Sequence, residues 1–443
     1  MSDRKEIEVY KTLKLAIPII MGELAQMSLH VIDTAMVGGI SYKHLAAASL
    51  VMTAVNIPFV IGIGLTISVS QMVSMANGRR DHQLISNYLF NGFLLCATFA
   101  LIISGTLIFG RNILKHLGQD PEVVTLALPF MILMGISVMP MLLFMTLKQF
   151  TDGLEYTKTA MVLSVASMPI NIFLNWLLIY GHWGFPRLEL LGAGYATLMT
   201  RTLIFIVLAL VILRHKTFRR YIAVSEKQWK FSFKSQKDLL RIGIPSSMQM
   251  GVEVAAFAVS GIIIGTLGAV SQAAHQIALI CASFTFMVSM GLSQAGSIRV
   301  SNAYGRGDTN QIQLIGKSTL VAALVYGCFC ASCFIVFRHQ LPKIFNSNPE
   351  VIKVSALLVL FAGIFQISDS IQAVGAGLLR GIKDVKIPTL LITLAYWVIG
   401  LPVGWLLCFH YRMGAAGMWL GLTAGLSFAA IFLMTRFLKM SQK

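Results

Sequence analysis

Charge is what this sequence has least of. Only 12% of its 443 residues are Asp, Glu, Lys or Arg, against 56% hydrophobic, and the mean hydropathy is +0.76. A soluble domain carries about 25% charged residues, so the composition excludes an ordinary water-soluble globule and implies a polytopic membrane protein. Cysteine is also scarce. Cys96, Cys281, Cys328, Cys330, Cys333 and Cys408 all fall inside apolar runs, which implies no disulfide framework. Cys328, Cys330 and Cys333 have no His or carboxylate interleaved with them, so they read as packing residues and not as metal ligands. There is no GxxxxGK[ST] loop and no polar stretch large enough to bind ATP, which argues against a primary pump. Nor is there a Ser/His, Asp/Asp or HExxH arrangement of the kind intramembrane catalysis needs, so no enzyme is expected. The first apolar run is too long for a cleaved leader and lacks a small-residue cleavage site.

Long apolar runs are what is present. Twelve are expected, near 13–37, 49–72, 87–109, 125–147, 160–180, 190–213, 240–265, 275–297, 317–337, 351–375, 387–409 and 414–435, each long enough to cross a bilayer. The runs are continuous and do not alternate, which predicts an all-α bundle, since lipid offers no partner to an open sheet edge. The net charge of +17 follows topology rather than nucleic acid. With the N-terminus inside, roughly 26 of the 35 Lys and Arg lie on the inner side, about 8 lie outside, and Arg201 lies within a span. Nine of the inner ones fall in "RHKTFRRYIAVSEKQWKFSFKSQKDLLR", from Arg214 to Arg241. This block reads as positive-inside signal and anionic-lipid contact, with both termini cytoplasmic.

The basic block separates two copies of one unit. "GLTISVSQMVSMANGRRD" (64–81) aligns without a gap to "GLSQAGSIRVSNAYGRGD" (291–308), with about nine identities, at an offset of 227. The same offset pairs Pro18 with Pro245 and Gly38 with Gly265. Six spans per copy means that both copies enter the membrane from the same side, as parallel repeats. The expected organisation is an N-terminal lobe (1–213), a basic linker (214–239) and a C-terminal lobe (240–443). Two such lobes suit alternating access, so a secondary transporter is the leading reading.

Polar residues inside spans are candidates for that work, because burying them in lipid is costly. Asp33 interrupts a run that extends from Leu13 to Gly38. Asn171 and Asn175 are four apart and share a helix face. Thr197 falls at a similar depth, in the outer half of its span. One carboxylate with neutral oxygen donors suits a monovalent cation or a proton. At the equivalent positions the second repeat has Ser260, Gly400 and Gly404, and its own acids are Glu253 and Asp369. Glu23, His30, Gln26 and His275 read as lesser sites, Arg201 as paired or snorkelling, and Pro18 as a place for the first helix to bend. The "NGRRD" and "YGRGD" segments read as tight turns. The 23 Met and 27 Phe are numerous enough to line a cleft for flat, apolar cations.

At this point the sequence resembles the multidrug and toxic compound extrusion family, and within it the NorM-type branch. The resemblance rests on "DTAMVGG" after Gln26, "AAHQIAL" and "SIRVSNAYGRGD" in the eighth span, "LLRGIKD" (378–384), the Asn171/Asn175 pair, Glu253, and Asp369 in "SDSIQ", and it covers essentially the whole chain. It implies twelve helices in a V-shaped pair of six-helix lobes. It also implies efflux of organic cations and amphipathic drugs in exchange for Na+ or H+. Asp33, Asn171, Asn175 and Thr197 would form the N-lobe coupling site, and Glu253 and Asp369 the C-lobe acids. Some members of the family carry an acid where this chain has Asn175, which leaves Asp33 as the lone N-lobe carboxylate. The expectation is an antiporter of the bacterial inner membrane, monomeric, without a cofactor, surrounded by lipid and without nucleic acid. The competing expectation, a flippase for lipid-linked precursors or a polysaccharide exporter, would need a cationic cleft for pyrophosphate head groups. The charge visible within spans is mostly acidic, with Arg201 the exception.

Overall fold

A computed structural model describes residues 2–116, 118–223 and 229–442. Among the described residues, twelve helices are long and apolar enough to cross a membrane. They are α1 (Ser2–Gly38), α2 (Tyr42–Gly78), α3 (His82–Phe109), α4 (Pro121–Gly153), α5 (Thr157–Tyr180) and α6 (Glu189–Arg214) in the first repeat. A short α7 (Lys216–Ala223) follows, and then α8 (Phe233–Gly265), α9 (Ala269–Arg306) and α10 (Thr309–Phe337). After a one-turn α11 (Leu341–Phe345) come α12 (Pro349–Gly381), α13 (Lys386–His410) and α14 (Ala415–Met440).

The two repeats use the same punctuation. Asp81 caps α3 by accepting from Leu84 N at 2.9 Å, and Asp308 caps α10 by accepting from Gln311 N at 3.0 Å. The residue before each cap turns the chain through the left-handed region, Arg80 at φ 57° and Gly307 at φ 73°. The "GRRD" and "GRGD" segments are therefore helix-to-helix turns. Likewise Pro121 and Pro349 open α4 and α12 behind the caps Asp120 and Asn348.

Packing divides the chain into two compact units, but not at the linker. One, the N unit, is Met21–Ser247; the other, the C unit, is Met1–Ile20 together with Met248–Lys443. The expected lobes of 1–213 and 240–443 differ from these because α1 and α8 each change unit part-way along their length. The change comes after Ile20 and after Ser247, positions again 227 apart and two residues past Pro18 and Pro245. Glycine permits each helix crossing next to these points. A Cβ on Gly64 of α2 would lie 2.5 Å from Ser247 Cα, and one on Gly291 of α9 would lie 2.4 Å from Ile20 Cγ1. Charge marked the linker in the sequence, but it is helix packing that sets the unit boundary.

In the N unit, α4 packs against α2, α3, α5 and α6. The equivalent helix of the C unit, α12, packs against α9, α10 and α14. The C-unit core runs through Ala295, Ile298, Leu358, Phe365, Leu378, Trp419 and Leu426, and the start of α1 contributes Leu15, Ala16 and Ile19 to it. Each of these central helices is buried over at least half of its most apolar stretch, where surface helices would leave most of it exposed to lipid.

The linker is docked on the N unit. Phe218 and Tyr221 of α7 are buried, and Trp229 stacks on Phe90 at 5.6 Å. Asn91 of α3 donates to Lys230 O at 3.2 Å and accepts from Ser232 N at 2.9 Å. Tyr88 donates to Asp238 at 3.1 Å. Residues 224–228 of the expected linker lie outside the described residues.

Candidate functional site

In the N unit, α1 and α5 meet beside Asp33. Asn175 and Asn171 lie one turn apart on α5, as their spacing predicts, and both are fully buried. The Asn175 amino group donates to Asp33 Oδ1 at 2.6 Å and to Asn171 Oδ1 at 2.8 Å, so a single NH2 ties the carboxylate to the amide pair. Tyr180, further along α5, donates to Met36 O at 3.0 Å and holds the end of α1 against the same helix. Asn175 Oδ1 and Asn171 Nδ2 are buried with no hydrogen-bond partner. Of these two, Asn175 Oδ1 is an acceptor able to ligate a cation, whereas Asn171 Nδ2 is a donor.

Thr197 of α6 is buried, and among the described residues it makes no hydrogen bond to Asp33 or the asparagines. One turn further on, Arg201 Nη1 donates to Ser137 Oγ of α4 at 2.8 Å, and its guanidinium carbon stands 5.8 Å from the Phe59 ring of α2. Arg201 lies within electrostatic reach of Asp33 and of His30. The His30 side chain is exposed, and its backbone carbonyl accepts from Thr34 at 2.9 Å. Gln26 has a buried, unpartnered Nε2. Pro18 lies in the part of α1 that belongs to the C unit.

In the C unit two glutamines hold one of the acids, Glu253. Glu253 Oε1 on α8 accepts from Gln249 Nε2 at 3.1 Å, one turn earlier, and from Gln372 Nε2 of α12 at 2.9 Å. Asp369 is one turn before Gln372, buried, and within electrostatic reach of Glu253. Among the described residues no hydrogen bond to Asp369 is seen. Arg380, also on α12, is the cation whose charge reaches Glu253. His275, a minor candidate from sequence, accepts on Nδ1 from Trp419 Nε1 at 3.2 Å and is fully buried.

Arg201 is not the only cation inside the helices. Lys148 of α4 is 2% exposed and bonds Glu23 at 3.0 Å and Asp152 at 3.3 Å. In the C unit Arg299 of α9 pairs with Glu8, donating also to Glu8 O at 2.9 Å and to Thr12, while Arg380 is 7% exposed. The apolar runs 125–147, 275–297 and 351–375 end before these charges, whereas the helices continue to Gly153, Arg306 and Gly381. The available signal was the carboxylate spacing, with Asp152 four residues after Lys148.

The MatE family model matches residues 18–177 and again 245–406. Its two matches begin at Pro18 and Pro245, in step with the internal repeat. A probable multidrug resistance protein NorM of Mesorhizobium japonicum is 31% identical over 439 residues, covering 98% of this chain and 94% of that protein. The multidrug resistance protein NorM of Photobacterium profundum is 32% identical over 434 residues, covering 97% of this chain and 95% of that protein. Among solved structures, the eukaryotic MATE transporter AtDTX14 superposes with a TM-score of 0.90 at 22% identity, covering 99% of this chain and 98% of that one.

Proposed function

Since the chain belongs to the MatE family, we infer that it is a multidrug efflux transporter, and we propose a role for each polar site in it. Its substrates are organic cations and amphipathic drugs, exported in exchange for Na+ or H+ as a secondary antiporter. Asp33 is the N-unit coupling group: it takes up the cation or proton from outside once substrate has left. Asn175 and Asn171 orient it, and Thr197 borders the site. The observation that carries this reading is the single Asn175 amino group shared between Asp33 and Asn171, with an unpartnered amide oxygen beside the carboxylate. An incoming cation would find Asp33 Oδ2 and Asn175 Oδ1, an oxygen set suited to a hard monovalent ion.

Glu253 and Asp369 form the second acidic site, for the coupling ion or the positive charge of the substrate. Gln249 and Gln372 hold Glu253 in place, with His30, Gln26 and Pro18 as accessory positions on α1. The protein works as a monomer in the bacterial inner membrane, in contact with lipid and with both termini cytoplasmic. No cofactor beyond the coupling ion is needed. The buried cations do not favour the lipid-precursor reading, because Lys148 and Arg299 are closed on acids and Arg201 and Arg380 each lie near one. A pyrophosphate head group would need them open.

The test uses purified protein in liposomes loaded with a fluorescent organic cation, with inward Na+ and H+ gradients applied separately at clamped potential. Efflux is expected under one gradient, and Asp33→Asn is expected to lower it at least about tenfold, the loss of one interaction of roughly 1.4 kcal/mol. Wild-type coupled efflux by Asp33→Asn would remove Asp33 from the mechanism. Absence of efflux under both gradients would favour the lipid-precursor alternative.

A further inference from the structure

Arg201 is a partly buried charged group of the N unit to which the scheme above gives no task. Arginine at membrane depth is expected to close on an acid. Lys148 shows that arrangement in the same unit, held at 3.0 and 3.3 Å by Glu23 and Asp152. Arg201 makes no ion pair among the described residues. It rests on a hydroxyl, Ser137 Oγ at 2.8 Å, and near an aromatic face, Phe59 at 5.8 Å, while its charge still reaches Asp33. Asp33 in turn is held at 2.6 Å by a neutral amide. The acid and the base interact through their charges without being joined.

We propose that Arg201 is a tethered cation that competes with the coupling ion for Asp33, and so sets how tightly the N unit holds that ion. The proposal rests on the reading of Asp33 as the coupling group. A carboxylate with neutral amides, out of water, attracts a monovalent cation strongly, because little solvent screens the charge. A fixed positive charge within electrostatic reach offsets part of that attraction. An exchanger needs the offset, since an ion must bind well enough to enter and weakly enough to leave. With the ion present, the guanidinium has a resting place on Ser137 and Phe59. With the ion gone, it can swing toward Asp33 and keep the pocket neutral. The groups around Asp33 are Arg201 from α6, Asn171 and Asn175 from α5, and His30 on its own helix, and of these Arg201 is the permanent charge.

The test follows tryptophan fluorescence of the full chain in nanodiscs. Na+ is titrated at fixed pH, and pH is titrated without Na+. Glu253→Gln and Asp369→Asn remove the C-unit acids, and the same titrations in the otherwise native chain, taken as a difference from Asp33→Asn, give a second reading. Arg201→Met is expected to move the midpoint to about tenfold less Na+, or about one pH unit toward alkaline, as removal of a neighbouring charge predicts. Arg201→Lys, which keeps the charge, should stay within about threefold of the parent. Ser137→Ala should move the midpoint the other way, because it releases the guanidinium toward Asp33, whereas a purely structural contact would give both variants the same sign. An unmoved midpoint in Arg201→Met overturns the proposal and leaves Arg201 as a link between α6 and α4. If Arg201→Met does not fold, an unmoved midpoint in Ser137→Ala overturns it. A parent response that persists in Asp33→Asn is a different result: it overturns the coupling role of Asp33.

Discussion

Asp33 and Ser260 occupy equivalent places in the two repeats, as do Asn171 and Asn175 with Gly400 and Gly404, yet the surroundings could hardly differ more. In the N unit the space between helices holds a carboxylate, two amides and a guanidinium. In the C unit the helix that carries Gly400 and Gly404, α13, lies with its backbone against α14. A Cβ on Gly421 of α14 would lie 2.2 Å from Gly404 Cα, and one on Gly425 would lie 2.2 Å from Ala395 O. Two stretches of π-helix, Leu394–Gly400 and Leu406–His410, accompany that close approach along α13. The C unit places its acids elsewhere, on α8 and α12, where two glutamines hold Glu253. One fold thus carries its charge at two different places.

The largest effect expected concerns the buried ion cluster of the N unit. Lys148→Met removes the cation that bonds both Glu23 and Asp152 and should destabilise the protein by about 3–5 kcal/mol, read from denaturant unfolding in detergent. Replacing all three by neutral residues of similar size should recover most of that loss. If Lys148→Met is as stable as the parent, the triad is not an ionised cluster.

A smaller effect is expected from exchanging the residues that distinguish the repeats. Gly404→Asn puts a Cβ 2.6 Å from Met418 Sδ and should lower stability by about 1–3 kcal/mol. Asn175→Gly should cost less stability but should uncouple transport, since it removes the donor to Asp33. Equal tolerance of both changes would mean that the two inter-helix spaces are interchangeable. The smallest effect belongs to the turn that the repeats share. Arg80→Gly gives the first repeat the residue that the second already has at its left-handed position, and should add about 0.5–1 kcal/mol in the same unfolding experiment.

Much of the architecture is legible in the sequence. Apolar length gave the number of crossing helices, and the 227-residue offset gave two copies, because both follow from the local requirement that a helix in lipid bury its backbone. The i,i+4 spacing of Asn171 and Asn175 placed them on one face, but which of the two amides bonds Asp33 depends on how α1 meets α5. Lys148, Arg299 and Arg380 lie just past the ends of the apolar runs, in helix that hydropathy alone does not extend, although each has an acid within reach. The hand-over of α1 and α8 between units was illegible for another reason. It depends on Gly64 and Gly291 meeting Ser247 and Ile20 across long stretches of chain, and nothing local in the sequence states such a meeting.

That hand-over also says something about ancestry. Each repeat entrusts the first part of its leading helix, residues 2–20 of α1 and 233–247 of α8, to the other repeat's core, and receives the matching piece in return. A single repeat standing alone would lack the piece that fills the groove at its own Gly64 or Gly291. Only a pair of copies, each lending the same segment, would be complete. In these terms the chain is a domain-swapped dimer whose partners have been fused end to end, and the basic linker is the weld.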